Sequence, residues 1–135
     1  MNYLQLEHIV ALHKEIVDES GGAHGILHQD YLEGALYSIQ ATFGGTELYP
    51  SLGEKAAVLC VNLTNAHAFR DGNKRIGVVA MMQFLMANDV YVNCSDQDLI
   101  NLGLGIANHE FDYERVLEWI QQHVQKEISL DVILE

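Results

Sequence analysis

Residues 51–87 read SLGEKAAVLCVNLTNAHAFRDGNKRIGVVAMMQFLMA, and this stretch predicts two long helices joined by a charged loop. Ser51 and Glu54 have the S-x-x-E spacing of a capping box, in which each side chain bonds the backbone N–H of the other residue. A helix is therefore expected over about 52–66. A second helix is expected over about 74–87, and it is apolar on nearly every face, which is typical of a helix buried in the middle of a bundle. The stretch predicts an all-α fold.

The rest of the chain shows four further helical patterns and one hairpin signal. Apolar residues recur at helical spacing, and residues that favour helix ends flank these patterns. Gly44-Gly45 between β-forming residues is a modest signal for a tight turn. The predicted elements outside the central pair are a helix over about 4–19 that Ser20-Gly21-Gly22 ends, a helix capped by Asp30, a hairpin over 42–49, a helix opened by Ser95 and Asp98, and a helix capped by Asp112.

The length of 135 residues corresponds to one domain, since domains typically contain about 100–200 residues. The whole chain, residues 1–135, is therefore expected to form a single domain, an all-α bundle of about six helices with at most a small β-hairpin. Residues 126–135 follow the last clear helix and fit either a short helix or a mobile end.

The charge of the chain argues against two classes of partner. Seven Lys and Arg residues against nineteen Asp and Glu residues give a formal net charge of −12. Binding to a nucleic-acid backbone or to an anionic membrane needs a basic surface, so direct contact with either is not expected. The longest nearly continuous apolar stretch, 76–87, is too short to span a membrane. No signal-peptide pattern is visible, so a cytoplasmic protein is expected.

The loop between the two central helices concentrates positive charge. Arg70, Lys74 and Arg75 are three of the seven basic residues of the chain and lie within six positions. A helix begins here, so its first N–H groups lack intrahelical partners and its dipole presents the positive end. Gly72 permits a close backbone approach, and the amides from Gly72 to Arg75 could wrap an anion. Asn73 can cap the helix or bond a phosphate, so this segment is a candidate phosphate cradle.

Two more residues of the loop extend the chemistry beyond anion binding. Asp71 would repel a phosphate unless Mg²⁺ bridges the two, because Mg²⁺ prefers one or two carboxylates together with phosphate oxygens. His67, at the end of the preceding helix, is the natural proton acceptor for an incoming hydroxyl. Phe69 is expected to anchor the loop in the core. Each feature alone is more often a turn, a cap or a solvated charge, but together they describe transfer of a phosphate-bearing group.

The order of these residues resembles the motif H-x-F-x-(D/E)-G-N-(G/K)-R of the Fic (filamentation induced by cAMP) domains. His67, Phe69 and the run Asp71-Gly72-Asn73-Lys74-Arg75 match every fixed position. Within that family the chain looks like the death-on-curing (Doc) subgroup, the toxins of toxin–antitoxin systems, over roughly residues 7–123. The resemblance implies a compact Fic/Doc-type helical bundle in which the hairpin over 42–49 is a flap that aligns the target segment.

The same resemblance implies a role for each polar residue of the motif, with ATP and Mg²⁺ as cofactors. The nucleotide would be held by its phosphates, and a hydroxyl of the target would lose its proton to the enzyme. The residues concerned are His67 as the catalytic base, Asp71 as the Mg²⁺ ligand, and Gly72, Asn73, Lys74 and Arg75 as the phosphate cradle.

Two positions bear on which group is transferred. Lys74 stands where most Fic domains have glycine, and Val78 stands where typical Fic adenylyltransferases have a second arginine. The resemblance to Doc implies a reversed nucleotide and transfer of its γ-phosphate to a Ser or Thr hydroxyl of a translation factor such as elongation factor Tu, which halts translation. AMP transfer is the alternative, supported by the intact Asp71-Gly72-Asn73. A further alternative, of another class, is a non-enzymatic partner-binding module.

The surroundings of the motif depart from the family pattern. Ala66 and Ala68 flank His67 where close relatives have Asn and Pro, and Ile76 replaces a common threonine, which leaves the choice of target open. The family's inhibitory motif, (S/T)-x-x-x-E-(G/N), does not occur in the sequence. The resemblance therefore implies that a separate antitoxin protein restrains the chain, and that nucleic-acid binding belongs to this partner.

Overall fold

A computed structural model describes residues 1–124, which form six α-helices and one two-stranded antiparallel sheet. The predicted all-α fold with a small hairpin is confirmed, whereas the tail at 126–135 lies outside the described residues. Within the described range, no helix combines the length and the apolarity that a membrane crossing requires. The elements are α1 (Leu6–Ser20), α2 (Gln29–Ser38), β1 (Thr42–Phe43), β2 (Thr46–Glu47), α3 (Leu52–Ala66), α4 (Asn73–Ala87), α5 (Asp96–Ala107) and α6 (Tyr113–His123).

Helix α4 lies in the middle of the bundle, as its apolar sequence predicts. It packs against α1, α3 and α5, and its most extensive contact is with α3. Ala80, Met81 and Phe84 have no exposed surface, so α4 contributes to the core from more than one face. Burial of apolar surface stabilises a fold by about 25 cal/mol per Å², so this extensive contact contributes to the stability of the bundle.

Helices α3 and α4 approach each other most closely at Gly77. A Cβ atom at this position would collide with Oγ1 of Thr64 and would lie 2.9 Å from the carbonyl oxygen of Cys60. The hydroxyl of Thr64 is buried there without a hydrogen-bond partner in the described part of the chain. The glycine therefore sets the distance between the two helices one turn away from the loop that joins them.

The caps of three helices agree with the predictions. The side chains of Ser51 and Ser95 form capping boxes with Glu54 and Asp98. Asp112 accepts a hydrogen bond from the backbone N–H of Arg115. These caps depend on residues three positions apart, so local sequence is sufficient to specify them.

Asp30 was expected to cap α2, and this prediction is wrong. The helix begins at Gln29 with His28 as its N-cap, which places Asp30 in the first turn. The backbone N–H groups of Leu27 and His28 both donate to the carbonyl oxygen of Ala68, at 2.7 and 3.1 Å, and this tertiary contact sets the start of the helix. The carboxylate of Asp30 still lies near the positive end of the helix dipole.

The bounds of two other helices differ slightly from expectation. Helix α1 begins at Leu6 instead of residue 4, because the side chain of His8 accepts a hydrogen bond from the N–H of Gln5, the N-cap. Helix α4 begins at Asn73, one residue earlier than expected.

The hairpin is fastened to the bundle by a buried lysine. Thr42 pairs with Glu47 across the two strands, and Gly44 and Gly45 both have positive φ, which a tight two-residue hairpin turn requires. The side chain of Lys55 on α3 is 1% exposed, and its ammonium donates to a carboxylate oxygen of Glu47 at 2.9 Å and to the carbonyl oxygen of Ile39 at 3.0 Å. The hairpin and the end of α2 are therefore held to α3.

The contact at Gly77 generates a stability prediction. Gly77→Ala is expected to lower the free energy of unfolding by about 1–3 kcal/mol, because overpacking forces the two central helices apart. Gly34→Ala is the matched control, since a Cβ at this helical position meets no atom within 4 Å. The control is expected to stabilise the protein by about 0.5–1 kcal/mol, the helix-propensity gain of Ala over Gly. Urea denaturation measures both values, and equal stability of the two variants would contradict the prediction.

Candidate active site

The motif loop, residues 67–72, joins α3 to α4 and is anchored in the core by its apolar residues. Ala68 is fully buried and Phe69 is 2% exposed, which confirms the predicted role of Phe69 as the anchor. The polar side chains of His67, Arg70 and Asp71 are exposed. The alternation places the charged groups on the solvent side of a loop whose apolar side is fixed.

The segment between α1 and α2 lies beside the motif loop and pairs with it. Ile26 and Phe69 form an antiparallel bridge, and the N–H of Leu27 donates to the carbonyl oxygen of Ala68 at 2.7 Å. In the other direction, the N–H of Arg70 donates to the carbonyl oxygen of Gly25 at 3.0 Å. These bonds hold the backbone of the loop against the segment between α1 and α2.

The side chain of Asn73 closes the motif loop. Its Oδ1 accepts a hydrogen bond from the N–H of Phe69 at 3.1 Å, and its Nδ2 donates to the carbonyl oxygen of Phe69 at 2.8 Å. The sequence left Asn73 as either a helix cap or a phosphate ligand, whereas the structure uses its amide group to brace the loop. Its backbone N–H stands at the start of α4 as part of the predicted cradle.

The N-terminus of α4 differs electrostatically from the starts of the helices that have side-chain caps. Gly72 is the N-cap with φ = +80°, and the first N–H to bond within the helix is that of Ile76, which donates to Gly72 at 2.9 Å. The N–H groups of Asn73, Lys74 and Arg75 therefore precede the first helical bond. Within the described residues no side chain caps this helix and its first turn contains no acid. Helices α3, α5 and α6 have both a cap and an acid.

The charges of Lys74 and Arg75 interact unfavourably with the positive end of the α4 dipole when no anion is bound. Both side chains are exposed in the first turn, next to the positive end of the helix dipole. A cation in that position costs about 0.3–1 kcal/mol, and an anion gains a similar amount. Helix α5 packs on this turn so closely that a Cβ at Gly103 would lie 3.1 Å from the carbonyl oxygen of Lys74. This packing fixes the first turn of α4, whose first N–H groups and two cations would suit an anion.

His67 is the C-cap of α3 and has a left-handed backbone conformation. Its φ and ψ are 51° and 41°, which for a residue with a Cβ costs about 1–2 kcal/mol. Asp89 and His109 also have positive φ just after helices, so helix termination accounts for the conformation. What distinguishes His67 from these residues is its place in the motif loop, where its exposed imidazole lies four residues before the carboxylate of Asp71.

Asp71 fits a Mg²⁺ ion that arrives with phosphates. Its Oδ2 accepts a hydrogen bond from the N–H of Ala23 at 2.7 Å, which orients the carboxylate and uses one of its two oxygens. No group of three or more His, Cys, Asp or Glu side chains that could hold a metal ion occurs in residues 1–124. Mg²⁺ usually keeps water ligands and binds one or two carboxylates plus substrate phosphates, so a single exposed carboxylate beside an anion cradle suits it.

His13 also contacts the motif loop, a role that the sequence alone does not predict. Its side chain on α1 is 4% exposed, its ring stacks on Phe69 at 3.6 Å between centroids, and its Nε2 lies 2.7 Å from the carbonyl oxygen of Asp71. The available signal was its position between Ile9 and Val17, one turn away on each side. Both are buried, so a titratable residue stands in the apolar stripe of the helix.

The structure thus brings all the predicted site residues together at one end of α4. The chain is also similar to known proteins over most of its length. The sequence model described as "Fic/DOC family" matches residues 3–85, which include α1 to α3, the motif loop and most of α4. The protein "Toxin Doc" of Mycolicibacterium smegmatis is 30% identical over 113 residues, which cover 84% of this chain and 75% of that protein.

The brace formed by Asn73 can be tested by substitution. Asn73→Ala is expected to lower the free energy of unfolding by about 1–3 kcal/mol, because it leaves two polar groups of Phe69 without partners. It is also expected to speed hydrogen exchange of the Phe69 amide, which NMR measures directly. Asn101→Ala is the control, since within residues 1–124 the side chain of Asn101 bonds only to the exposed side chain of Gln97. Slow exchange of Phe69 in the Asn73 variant would show that the loop does not depend on this side chain.

Proposed function

This chain belongs to the Fic/DOC family, and we propose that it is a toxin that transfers the γ-phosphate of Mg²⁺-ATP to a Ser or Thr hydroxyl of a translation factor such as elongation factor Tu, thereby blocking translation. The observation that carries the proposal is the start of α4, which no side chain of the described residues caps and where Lys74 and Arg75 stand in the first turn, with the exposed His67 at the other end of the motif loop. The relative in Mycolicibacterium smegmatis, by its name a toxin, supports the biological role.

The phosphates of ATP would bind at the start of α4. The N–H groups of Gly72, Asn73, Lys74 and Arg75 would donate to phosphate oxygens, and the two cationic side chains would add charge-assisted bonds. The guanidinium of Arg75 can bond two oxygens at once, whereas the ammonium of Lys74 acts as a point charge. Binding would be strengthened because the anion relieves the repulsion between these cations and the helix dipole.

His67 would accept the proton of the target hydroxyl. The hydroxyl oxygen would form a bond to the γ-phosphorus while the bond from that phosphorus to the β–γ bridging oxygen breaks, and ADP would leave with the electron pair. The exposure of His67 at the end of α3 supports this role, since it leaves the imidazole accessible to a target hydroxyl. Mg²⁺ held by Asp71 and the phosphates would neutralise charge that develops on the leaving group.

Transfer of AMP is the second candidate reaction. It is supported by the intact Asp71-Gly72-Asn73 and opposed by Lys74 and Val78. Val78 is apolar and only 4% exposed, so it adds no cation to the phosphate cradle. The cationic charge on α4 is therefore confined to its first turn, at Lys74 and Arg75, which favours the γ-phosphate reaction.

Restraint of the toxin would come from a separate antitoxin protein. The sequence does not contain the family's inhibitory motif, so this motif cannot inhibit the active site from within the chain. With a formal net charge of −12, this chain is poorly suited to grip nucleic acid, and an antitoxin partner would contribute that function.

The transferred group is tested with ATP labelled at either the γ- or the α-phosphate, in parallel reactions with Mg²⁺ and elongation factor Tu. Label from the γ-phosphate alone is expected in the protein target. His67→Ala is expected to reduce transfer about 10²–10⁴-fold, the usual effect of losing a general base, and to leave ATP binding within about twofold. His109→Ala is the matched control, since His109 is also exposed and left-handed after a helix.

Each other outcome of this experiment has a definite meaning. Label from the α-phosphate would identify AMP transfer, and transfer by His67→Ala at the normal rate would exclude His67 as the base. Absence of Mg²⁺-ATP binding in calorimetry would favour the non-enzymatic partner-binding module.

Lys74→Gly tests the choice between the two reactions. Removing the ammonium is expected to lower the rate of γ-phosphate transfer at least about tenfold, because one charge-assisted hydrogen bond contributes about 1.5 kcal/mol or more. The variant is also expected to show measurable AMP transfer. Lys14→Ala is the control, because Lys14 is an exposed lysine that pairs with Asp18 on α1. Unchanged γ-phosphate transfer by Lys74→Gly would show that the lysine does not select the reaction.

A further inference from the structure

We propose that His13 is a positioning residue, which sets the orientation of the Asp71–Gly72 peptide and through it the geometry of the anion cradle at the start of α4. The inference rests on the proposed function only for the identity of the anion. The contact that carries it joins residues 58 positions apart, with the Nε2 of His13 2.7 Å from the carbonyl oxygen of Asp71.

The direction of this hydrogen bond follows from the chemistry of the two groups. A backbone carbonyl oxygen only accepts hydrogen bonds, so the Nε2 of His13 carries the proton and donates it. The peptide between Asp71 and Gly72 is planar and trans, so its N–H points opposite to its carbonyl oxygen. By holding the carbonyl toward α1, His13 turns the N–H of Gly72 away from α1.

The imidazole is held so that it can do this. Its ring lies 3.6 Å from the ring of Phe69 with an angle of 10° between the planes. Ile9 and Val17, one turn away on either side of His13, are 0% and 2% exposed, so the ring emerges from a buried helix face. Phe69 and helix α1 therefore hold the imidazole of His13 in place, and the imidazole in turn holds the carbonyl group of Asp71.

Gly72 shows that this contact is tight on the other side as well. A Cβ at Gly72 would lie 3.4 Å from the Nε2 of His13, and the residue has φ = +80°, a conformation that glycine adopts without strain. The peptide before Gly72 is thus held by His13, and the residue itself leads directly into the first turn of α4. A shift of this peptide would move the Gly72 amide and the carboxylate of Asp71 together.

A second histidine of the chain also stacks on an aromatic ring and bonds a carbonyl oxygen, but within its own helix and away from the site. His123 stacks on Trp119 at 4.0 Å, and its Nδ1 lies 2.7 Å from the carbonyl oxygen of Trp119. Its backbone pairs with Asn93, beyond the C-terminus of α4, whereas the motif loop precedes the N-terminus of that helix. His123→Phe therefore reports what the loss of a stacked, carbonyl-bonded histidine does to stability alone.

The experiment compares His13→Phe with His123→Phe in the full chain. His13→Phe retains a ring against Phe69 but has no N–H donor. Calorimetry with Mg²⁺-ATP, steady-state transfer kinetics, the melting temperature and the NMR chemical shift of the Gly72 amide are measured for each protein. For His13→Phe we expect at least a tenfold loss of Mg²⁺-ATP affinity, at least a tenfold loss of kcat/KM and a displaced Gly72 amide signal. His123→Phe is expected to stay within twofold in binding and transfer.

A second pair of variants isolates the hydrogen bond and also serves if His13→Phe does not fold. Gln can place an amide N–H near the position of the histidine Nε2, whereas Met has a similar shape without a donor. His13→Gln is expected to bind Mg²⁺-ATP at least threefold more tightly than His13→Met. Equal affinity of these two variants would overturn the inference.

The remaining outcomes separate this inference from the proposed function. If the wild-type protein transfers no label but binds Mg²⁺-ATP, the proposed reaction fails while the His13 comparison is still decided by affinity. If the protein does not bind Mg²⁺-ATP, the Gly72 amide signal decides it. An unshifted Gly72 signal in His13→Phe, or losses of binding equal to those in His123→Phe at equal melting temperature, would reduce His13 to a structural core residue.

Discussion

The contact between α3 and α4 at Gly77 is the constraint on which the rest of the structure depends. Because a Cβ at this position would collide with the side chain of Thr64, only glycine lets the two helices lie this close. The motif loop spans the gap between the end of α3 and the start of α4, so the separation of the helices sets the separation of its ends. The packing of α3 against α4 therefore determines where His67 lies relative to the first turn of α4.

The site combines a rigid backbone with an unbalanced charge. Asn73, the segment beside Gly25 and the imidazole of His13 hold the loop through hydrogen bonds on different sides. The exposed side chains at the start of α4 are cations next to a positive helix end, which is unfavourable for the isolated helix. An anion bound at this end of the helix would offset the repulsion, because the positive end of a helix dipole stabilises negative charge.

The sequence predicted best what short-range interactions determine. The caps at Ser51, Ser95 and Asp112 depend on partners three residues away, and the motif residues lie within nine consecutive positions, so both were visible without a fold. The start of α2 was misjudged at Asp30, because a bond to the distant carbonyl of Ala68 determines it.

Contacts between distant segments explain what the sequence analysis missed. His13 and Asp71 are 58 positions apart, and only the packing of α1 against α4 brings them together. Lys55 resembles any surface lysine in sequence, yet it is buried because the hairpin and the end of α2 supply its partners. A buried cation that loses its partner is strongly destabilising. Detachment of the hairpin would leave the ammonium of Lys55 without the carboxylate of Glu47, so the hairpin is held in place. The hairpin is therefore ordered before any polypeptide binds to its edge. Binding of an extended segment there would not carry the entropy cost of ordering the hairpin.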